Sequence, residues 1–402
     1  MNTLRRFAPA AIAAMMAAAA ACGSSTDSGP QAASVTGVAG DSQTATTGAA
    51  LAFPLSLVAL GSNGQPAHGV HVTWSATPSA GATFSPVSTT TDVNGAASTT
   101  ATLGSVVGSI TIHAAVAGVS DVVYHATSLD PCTYLAPYTF GQTINAALSA
   151  SDCNYRNAGW YYDFYTLDLP AGQQSMRISM HSAAFDTWVD FWSVDGPLFG
   201  FDDDSSLGTP PNNSQLDIIL PGGTYVIGAN SFNQFTTGAY TLATSTRPAA
   251  MNGCRQVWVA RGVTVSDSLT ATDCADSTAT PHYYDVARIQ LVQGSVLTIS
   301  EHSTVINPSL ALYRILDLNT YPRSLVAQND DSAAGYQNAF IKFTAALSGP
   351  YDIVIGSSAP GETGAYTFDV AASATLSPRP VAPISGGHAR WGVLGLPRRA
   401  KH

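Results

Sequence analysis

The chain runs to 402 residues, room for about three ordinary domains, and only 10% of them are charged, with a net charge of -10. Phosphate recognition needs clustered Lys and Arg, so 16 such residues against 26 Asp and Glu argue against nucleic acid as a partner. Five cysteines without a close C-x-x-C pair exclude a four-cysteine zinc knuckle.

The predicted elements begin with an export signal over residues 1–21. Arg5 and Arg6 form its basic start, and a small, apolar run follows from Ala10 to Ala21. That run is too short to span a bilayer. Its end, Ala19-Ala20-Ala21-Cys22-Gly23, resembles a bacterial lipoprotein box, with Ala19 where that pattern usually has Leu. The resemblance implies that Cys22 is lipidated and becomes the first mature residue, and that Gly23 after it directs the protein to the outer membrane or cell surface. Ordinary cleavage after an Ala-x-Ala site is the alternative, and it leaves Cys22 a stray thiol. Residues 22–33 then form a Ser/Gly/Thr-rich tether.

Residues 34–128 read as short strands between turns. Val70, Val72, Trp74 and Ala76 alternate with His71, Thr73 and Ser75, and Ile110, Ile112, Ala114 and Val116 repeat the pattern. Period 2 marks half-buried strands. Asn63-Gly64 and Asn94-Gly95 supply the positive φ that tight turns require. The turn Asn63-Gly64-Gln65-Pro66, the strand Val70-His71-Val72-Thr73-Trp74 and the turn Thr91-Asp92-Val93-Asn94-Gly95-Ala96 resemble the bacterial Ig-like domain of the intimin and invasin group. The resemblance implies a sandwich that serves as a rigid spacer or adhesive module.

Beyond Ser128 the chain repeats itself at an interval of about 122 positions, the size of a whole domain. Cys132 and Cys153 return as Cys254 and Cys274, and Tyr161-Tyr162-Asp163 as Tyr283-Tyr284-Asp285. Asp203-Asp204-Ser205 returns as Asp330-Asp331-Ser332, and Thr237-Gly238-Ala239-Tyr240-Thr241 as Thr363-Gly364-Ala365-Tyr366-Thr367. Four cysteines allow three connectivities, and duplication selects Cys132 with Cys153 and Cys254 with Cys274. Such bridges belong to an oxidising compartment and contribute on the order of 3 kcal/mol each. Alternation at Tyr165, Leu167 and Leu169, then at Met176, Ile178 and Met180, predicts two strands with a turn at Pro170-Ala171-Gly172. The Tyr-Asp-x-Tyr motif at Tyr162 to Tyr165, the Phe185-Asp186 pair, the Asp-Asp-Ser loop, the Gly-Thr-Tyr strand and Thr-Gly-Ala-Tyr-Thr together resemble the pre-peptidase C-terminal domain, a β-sandwich appended to secreted proteases. The second copy departs from that pattern at Ala287 and at Ile306-Asn307.

The fold class is therefore all-β: three β-sandwich domains in series, one Ig-like (34–128) and two tandem jelly-roll-like sandwiches (129–247 and 251–375). A Pro-rich, then basic tail over 376–402 is expected to be disordered.

Three places hold candidate chemistry. Asp203, Asp204, Asp330 and Asp331 crowd carboxylates into equivalent loops; hard oxygen ligands of this kind suit calcium, and a solvated acidic turn is the alternative. His181-Ser182 and His302-Ser303 recur, but neither a G-x-S-x-G elbow nor an H-E-x-x-H helix accompanies them, so no catalytic residue is assigned. Among many aromatics expected in the core, Trp160 and Phe232 are the candidates for an exposed face that stacks on a sugar or grips a peptide. The function expected is adhesion to, or recognition of, extracellular protein or polysaccharide by a lipid-anchored, non-enzymatic protein that requires no cofactor. A non-catalytic envelope spacer and an accessory subunit of a secreted hydrolase are the alternatives.

Overall fold

The computed structural model describes residues 31–194, 198–202, 213–248, 251, 254, 256–316, 323–330 and 338–371. The expected signal, Cys22 and the tail over 376–402 lie outside them. Among the described residues regular structure is strand, apart from two single 3-10 turns at Ser79–Gly81 and Tyr155–Asn157. The all-β expectation holds.

The N-terminal module is two facing sheets, antiparallel except for one strand pair. One runs in the order Ser34–Ala39, Leu55–Leu60, Ala96–Leu103, Ala82–Ser85; the other runs Gln43–Thr46, Val122–Leu129, Gly108–Val116, His71–Thr77, Ser88–Thr90, its first pair parallel. Between them pack Leu55, Leu57, Val72, Trp74, Ile110 and Ile112, the inward members of the alternating runs. The Thr-Asp-x-Asn-Gly-x-Ala turn is held from within. The buried Thr91 hydroxyl donates to Ala67 O at 2.6 Å and accepts from Val70 N at 2.9 Å, while Asp92 Oδ1 accepts from the N–H groups of Asn94 and Ala96. Gly95 has φ of 72°, and a Cβ there would sit 2.4 Å from Ala59 O. Only glycine meets both demands.

In the first repeat a single strand, Tyr161–His181, pairs along its length with Ser214–Ser231. The turn expected at Pro170-Ala171-Gly172 is instead a bulge in that pair, opposite Gly222, with the register shifting between Leu169 and Gln173. Bulges bend strands and carry them from one layer of a sandwich to the other. A Cβ on Gly222 would lie 1.9 Å from Pro170 O, so the two strands touch backbone to backbone at the corner. In the second repeat the corresponding strands are separate pieces: Tyr283–Leu291 and Val296–His302, and Asn338–Thr344 and Gly349–Ser357.

The repeats are not independent sandwiches. The short strand Val257–Val259 runs parallel to the first repeat, with Trp258 opposite Ile218 and Val259 opposite Ile219. On its other edge it runs parallel to the second repeat, with Val257 opposite Ala287 and Trp258 opposite Arg288. One sheet therefore crosses the boundary. The cores interlock as well, because Trp258 and Ala260 pack in the first core and Ile219 packs in the second. The Trp258 ring lies 5.3 Å from Phe201, and a Cβ on Gly200 would be 2.8 Å from it. Beside it Arg288 stands 5.7 Å from the Trp258 ring centre, a cation–π contact. Arg288 also forms a forked pair with the fully buried Asp352, at 2.7 and 3.2 Å. Gln173 adds a second tie: its amide donates to Thr264 O and accepts from Thr264 N, both at 2.8 Å.

Removing a buried tryptophan ring costs about 3–5 kcal/mol. Trp258→Ala is expected to destabilise both repeats by that order and to separate their unfolding into two calorimetric transitions. A variant that keeps one shared transition would contradict the common core.

Candidate functional site at the strand ends of the repeats

The structure places the sequence-predicted residues unevenly. Cys132–Cys153 and Cys254–Cys274 are bonded as expected, with Cα atoms 4.5 and 4.7 Å apart. The turns beside them match: Ser149 N donates to Asp152 in one copy and Thr270 N to Asp273 in the other, each at 2.6 Å. Asp203, Asp204 and Asp331 lie outside the described residues, and Asp330 is exposed. Trp160 is half-buried, and its indole N–H donates to Phe232 O at 3.4 Å.

Phe232 is a correction. It is 6% exposed and packs 6.2 Å from Trp188 inside the first core. The Ser231 hydroxyl donates to Asn233 O and turns the chain, and Phe232 N donates to Asp186 O at 2.9 Å, which directs the ring inward. The aromatic this loop presents to solvent is Phe235, 69% exposed, lying over Gly159.

The His-Ser pairs fall at equivalent strand ends. Ser182 Oγ donates to Ala239 O at 2.8 Å and accepts from the N–H groups of Ala184 and Phe185. Ser303 repeats this with Ala365 O at 2.6 Å and the N–H groups of Val305 and Ile306. Both hydroxyls thus cap a turn and dock it to the neighbouring strand. The adjoining histidines face outward. His302 Nδ1 lies 2.5 Å from Asn338 Oδ1, and its Nε2 lies 3.9 Å from Asp369.

In the second repeat these ends border an open groove of about 870 Å³. Asp267 and Ser268 come from the strand Val263–Leu269, His302 and Thr304 from the end of Val296–His302 and the turn after it, Asn338 from the start of Asn338–Thr344, and Thr367 from Gly364–Val370. Register relates each to the first repeat. Tyr366 pairs with Asp267 as Tyr240 pairs with Ala146, and Ala365 pairs with Ser268 as Ala239 pairs with Ala147. Thr304 follows Ser303 as Ala183 follows Ser182. The frame of His, Ser, Tyr and Thr is common to both copies, whereas Asp267, Ser268 and Thr304 replace three alanines. The sequence reading missed these three. Position-by-position comparison of the two copies would have found them.

Below the groove sits a buried acid network. Tyr366 OH donates to Asp285 at 2.8 Å; in the first repeat Tyr240 OH donates to Asp163 at 2.6 Å and also meets Tyr165 OH. Burial, with Asp152 nearby, pushes the Asp163 carboxyl up to about 7. Asp267 is raised by burial and steadied by the N–H groups of Ser268 and Met251. Glu301 stands where the first repeat has Met180, each beside the equivalent residue of the neighbouring strand, Phe368 and Leu242. It is fully buried beside the Ser309 and Gly356 N–H groups, and among the described residues neither carboxyl oxygen meets a donor in good hydrogen-bond geometry. Burial pushes its pKa up to about 9; the Ser309 and Gly356 N–H groups temper that rise, and Asp285 adds to it.

No protein-family profile and no curated protein matches this chain. Solved structures similar to it include the pre-peptidase C-terminal domain of a Bacillus anthracis collagenase, at 15% identity and a TM-score of 0.23 over 28% of this chain and 95% of that one. The D0-D1 domain of intimin is similar at 16% identity and a TM-score of 0.20, covering 53% of this chain and 91% of that one. The Escherichia coli adhesin FdeC is similar at 11% identity and a TM-score of 0.18, covering 82% and 93%. Identities and scores this low assign no ligand or activity to this chain. The two disulfides fit an extracellular or surface protein.

Glu301 gives the network a pH dependence with a definite sign. Below pH 4.5 the folded and unfolded chains both hold its proton, and nothing is lost. From there to about pH 9 the unfolded chain releases a proton that the folded chain keeps, so stability falls as the pH rises through that window. Glu301→Met, which installs the residue of the first repeat, is expected to raise the melting temperature at pH 8 and to leave it nearly unchanged at pH 4. Equal shifts at both pH values would show that this carboxyl is not what titrates.

Proposed function

We propose that this is an exported, lipid-anchored surface protein that recognises an extracellular polysaccharide or protein through its C-terminal twin sandwich, without catalysing a reaction. The observation that carries the reading is the open polar groove at the strand ends of the second repeat, on a pair of sandwiches locked into one sheet. A groove held by sheet backbone is pre-formed, which lowers the entropic cost of binding. The non-catalytic part is supported by Ser182 and Ser303, whose hydroxyls are already committed to turn capping and to backbone carbonyls. A hydroxyl nucleophile instead needs a base within reach of its proton and an oxyanion site beside it. The rigid junction also favours a second reading, a spacer in the cell envelope with no discrete ligand.

Anchoring and recognition are tested separately. Growth with labelled palmitate is expected to label the wild-type chain and not Cys22→Ser, and the variant is expected to leave the membrane fraction; label retained by the variant would remove the lipid anchor from this reading. The mature full chain, applied to a glycan and matrix-protein array, is expected to be retained by at least one polymer class. A chain that binds none of them, while its loss weakens the envelope, would support the spacer instead.

A further inference from the structure

We infer that the groove of the second repeat is a site for a neutral polysaccharide, and that the same place in the first repeat is not. The inference rests on the recognition reading above and narrows its ligand. Asp267, Ser268, His302, Thr304, Asn338 and Thr367 line the groove. Together they offer a carboxylate, an imidazole, an amide and three hydroxyls. Sugar hydroxyls both donate and accept, and planar carboxylate and amide groups can engage neighbouring pairs of them at once. Asp267 takes one N–H on each oxygen, from Ser268 and Met251, which orients the carboxylate and leaves further lone pairs for a ligand.

The lining also says what does not fit. Among the described residues no Lys or Arg lines the groove, and the chain as a whole is acidic, so an anionic chain such as a uronate or sulfated polymer would meet the Asp267 carboxylate with no basic side chain in the lining to receive it. An apolar peptide would find little to bury against among the described lining residues, whose one aromatic, Tyr366, is itself buried.

The first repeat is an internal control. It keeps His181, Ser182, Asn213, Tyr240 and Thr241 in the same places, and its end of the sheet folds with Ala146, Ala147 and Ala183. The fold therefore does not demand polar groups at those three positions. Their presence in the second copy is what a ligand would explain.

The test uses the mature full chain. Calorimetric titration against soluble neutral glucans and galactans, with uronate and sulfated chains alongside, is expected to show binding to a neutral polymer only. The triple change Asp267→Ala, Ser268→Ala and Thr304→Ala, which restores the residues of the first repeat, is expected to weaken that binding at least tenfold with folding confirmed by a thermal melt. His302→Ala, an exposed position, is expected to weaken it several-fold and serves if the triple variant melts early. Preference for an anionic polymer, or neutral-polymer binding unchanged in both variants, would overturn the site while leaving recognition intact. Binding to no polymer and no matrix protein would sink the underlying reading together with this one.

Discussion

The structure turns on a three-residue strand. Val257–Val259 takes hydrogen-bonding partners from both repeats, and its central Trp258 fills a space in the first core that exists because residue 200 is glycine. Two sandwiches joined only by a linker would move relative to one another. Here a shared sheet, two interlocked cores, the Arg288–Asp352 pair and the Gln173 amide fix their relation. The edges that correspond to this junction at the far ends of the pair are built differently. Ala136–Tyr138, equivalent to Val257–Val259, carries Pro137 in place of an N–H donor, and Asn338–Thr344, equivalent to the first half of Ser214–Ser231, carries Lys342 on its outer face. Proline and lysine discourage strand addition. Among the described strands the two repeats share an edge at their internal boundary.

Duplication preserved a frame and changed its filling. Each copy keeps the serine that caps the strand-end turn, the tyrosine that donates to a buried aspartate, and the Asp-Cys turn. These groups satisfy one another, and an isolated loss would strand a buried partner. Around them the second copy exchanged Tyr165 for Ala287 and Met180 for Glu301. A buried carboxyl without a hydrogen bond is tolerable while protonated and costly once ionised. The second core therefore carries a burden the first lacks, at the same end of the sheet where Asp267, Ser268 and Thr304 have replaced alanines. Polar groups are thus concentrated at one end of one copy.

The strands of the N-terminal module were legible because one face of each is wet: Val72 and Trp74, then Ile110 and Ile112, show their alternation openly. The cystine pairing was legible from duplication. Sheet fusion was not, because strand partners leave no mark in a three-residue run such as Val257–Val259. A signal did exist opposite it. Leu216, Ile218, Ile219 and Leu220 are all buried around the paired Asp217, and an apolar stretch that abandons period 2 marks a strand covered on both faces. Pro170-Ala171-Gly172 was read as a turn because bulges and turns use the same residues. Phe232 was misread because a turn-rich neighbourhood says nothing about which ring faces inward. The groove residues escaped because Ser and Thr at strand ends are common, and only their replacement of alanine sets them apart.

That replacement also bears on multivalency. Two weak modules on one chain strengthen binding only if both can engage, and the gain depends on a spacing that the polymer can match. The junction fixes the spacing and the fillings differ, so the repeats are poorly suited to act as twin grips on one ligand. A single furnished groove on a rigid pair would offer one contact per chain. Avidity must then come from many copies on the same surface, which is what lipid anchoring at Cys22 would supply. In that arrangement the first repeat and the N-terminal module would act as spacers, carrying the groove out from the membrane to where neighbouring copies could reach the same polymer.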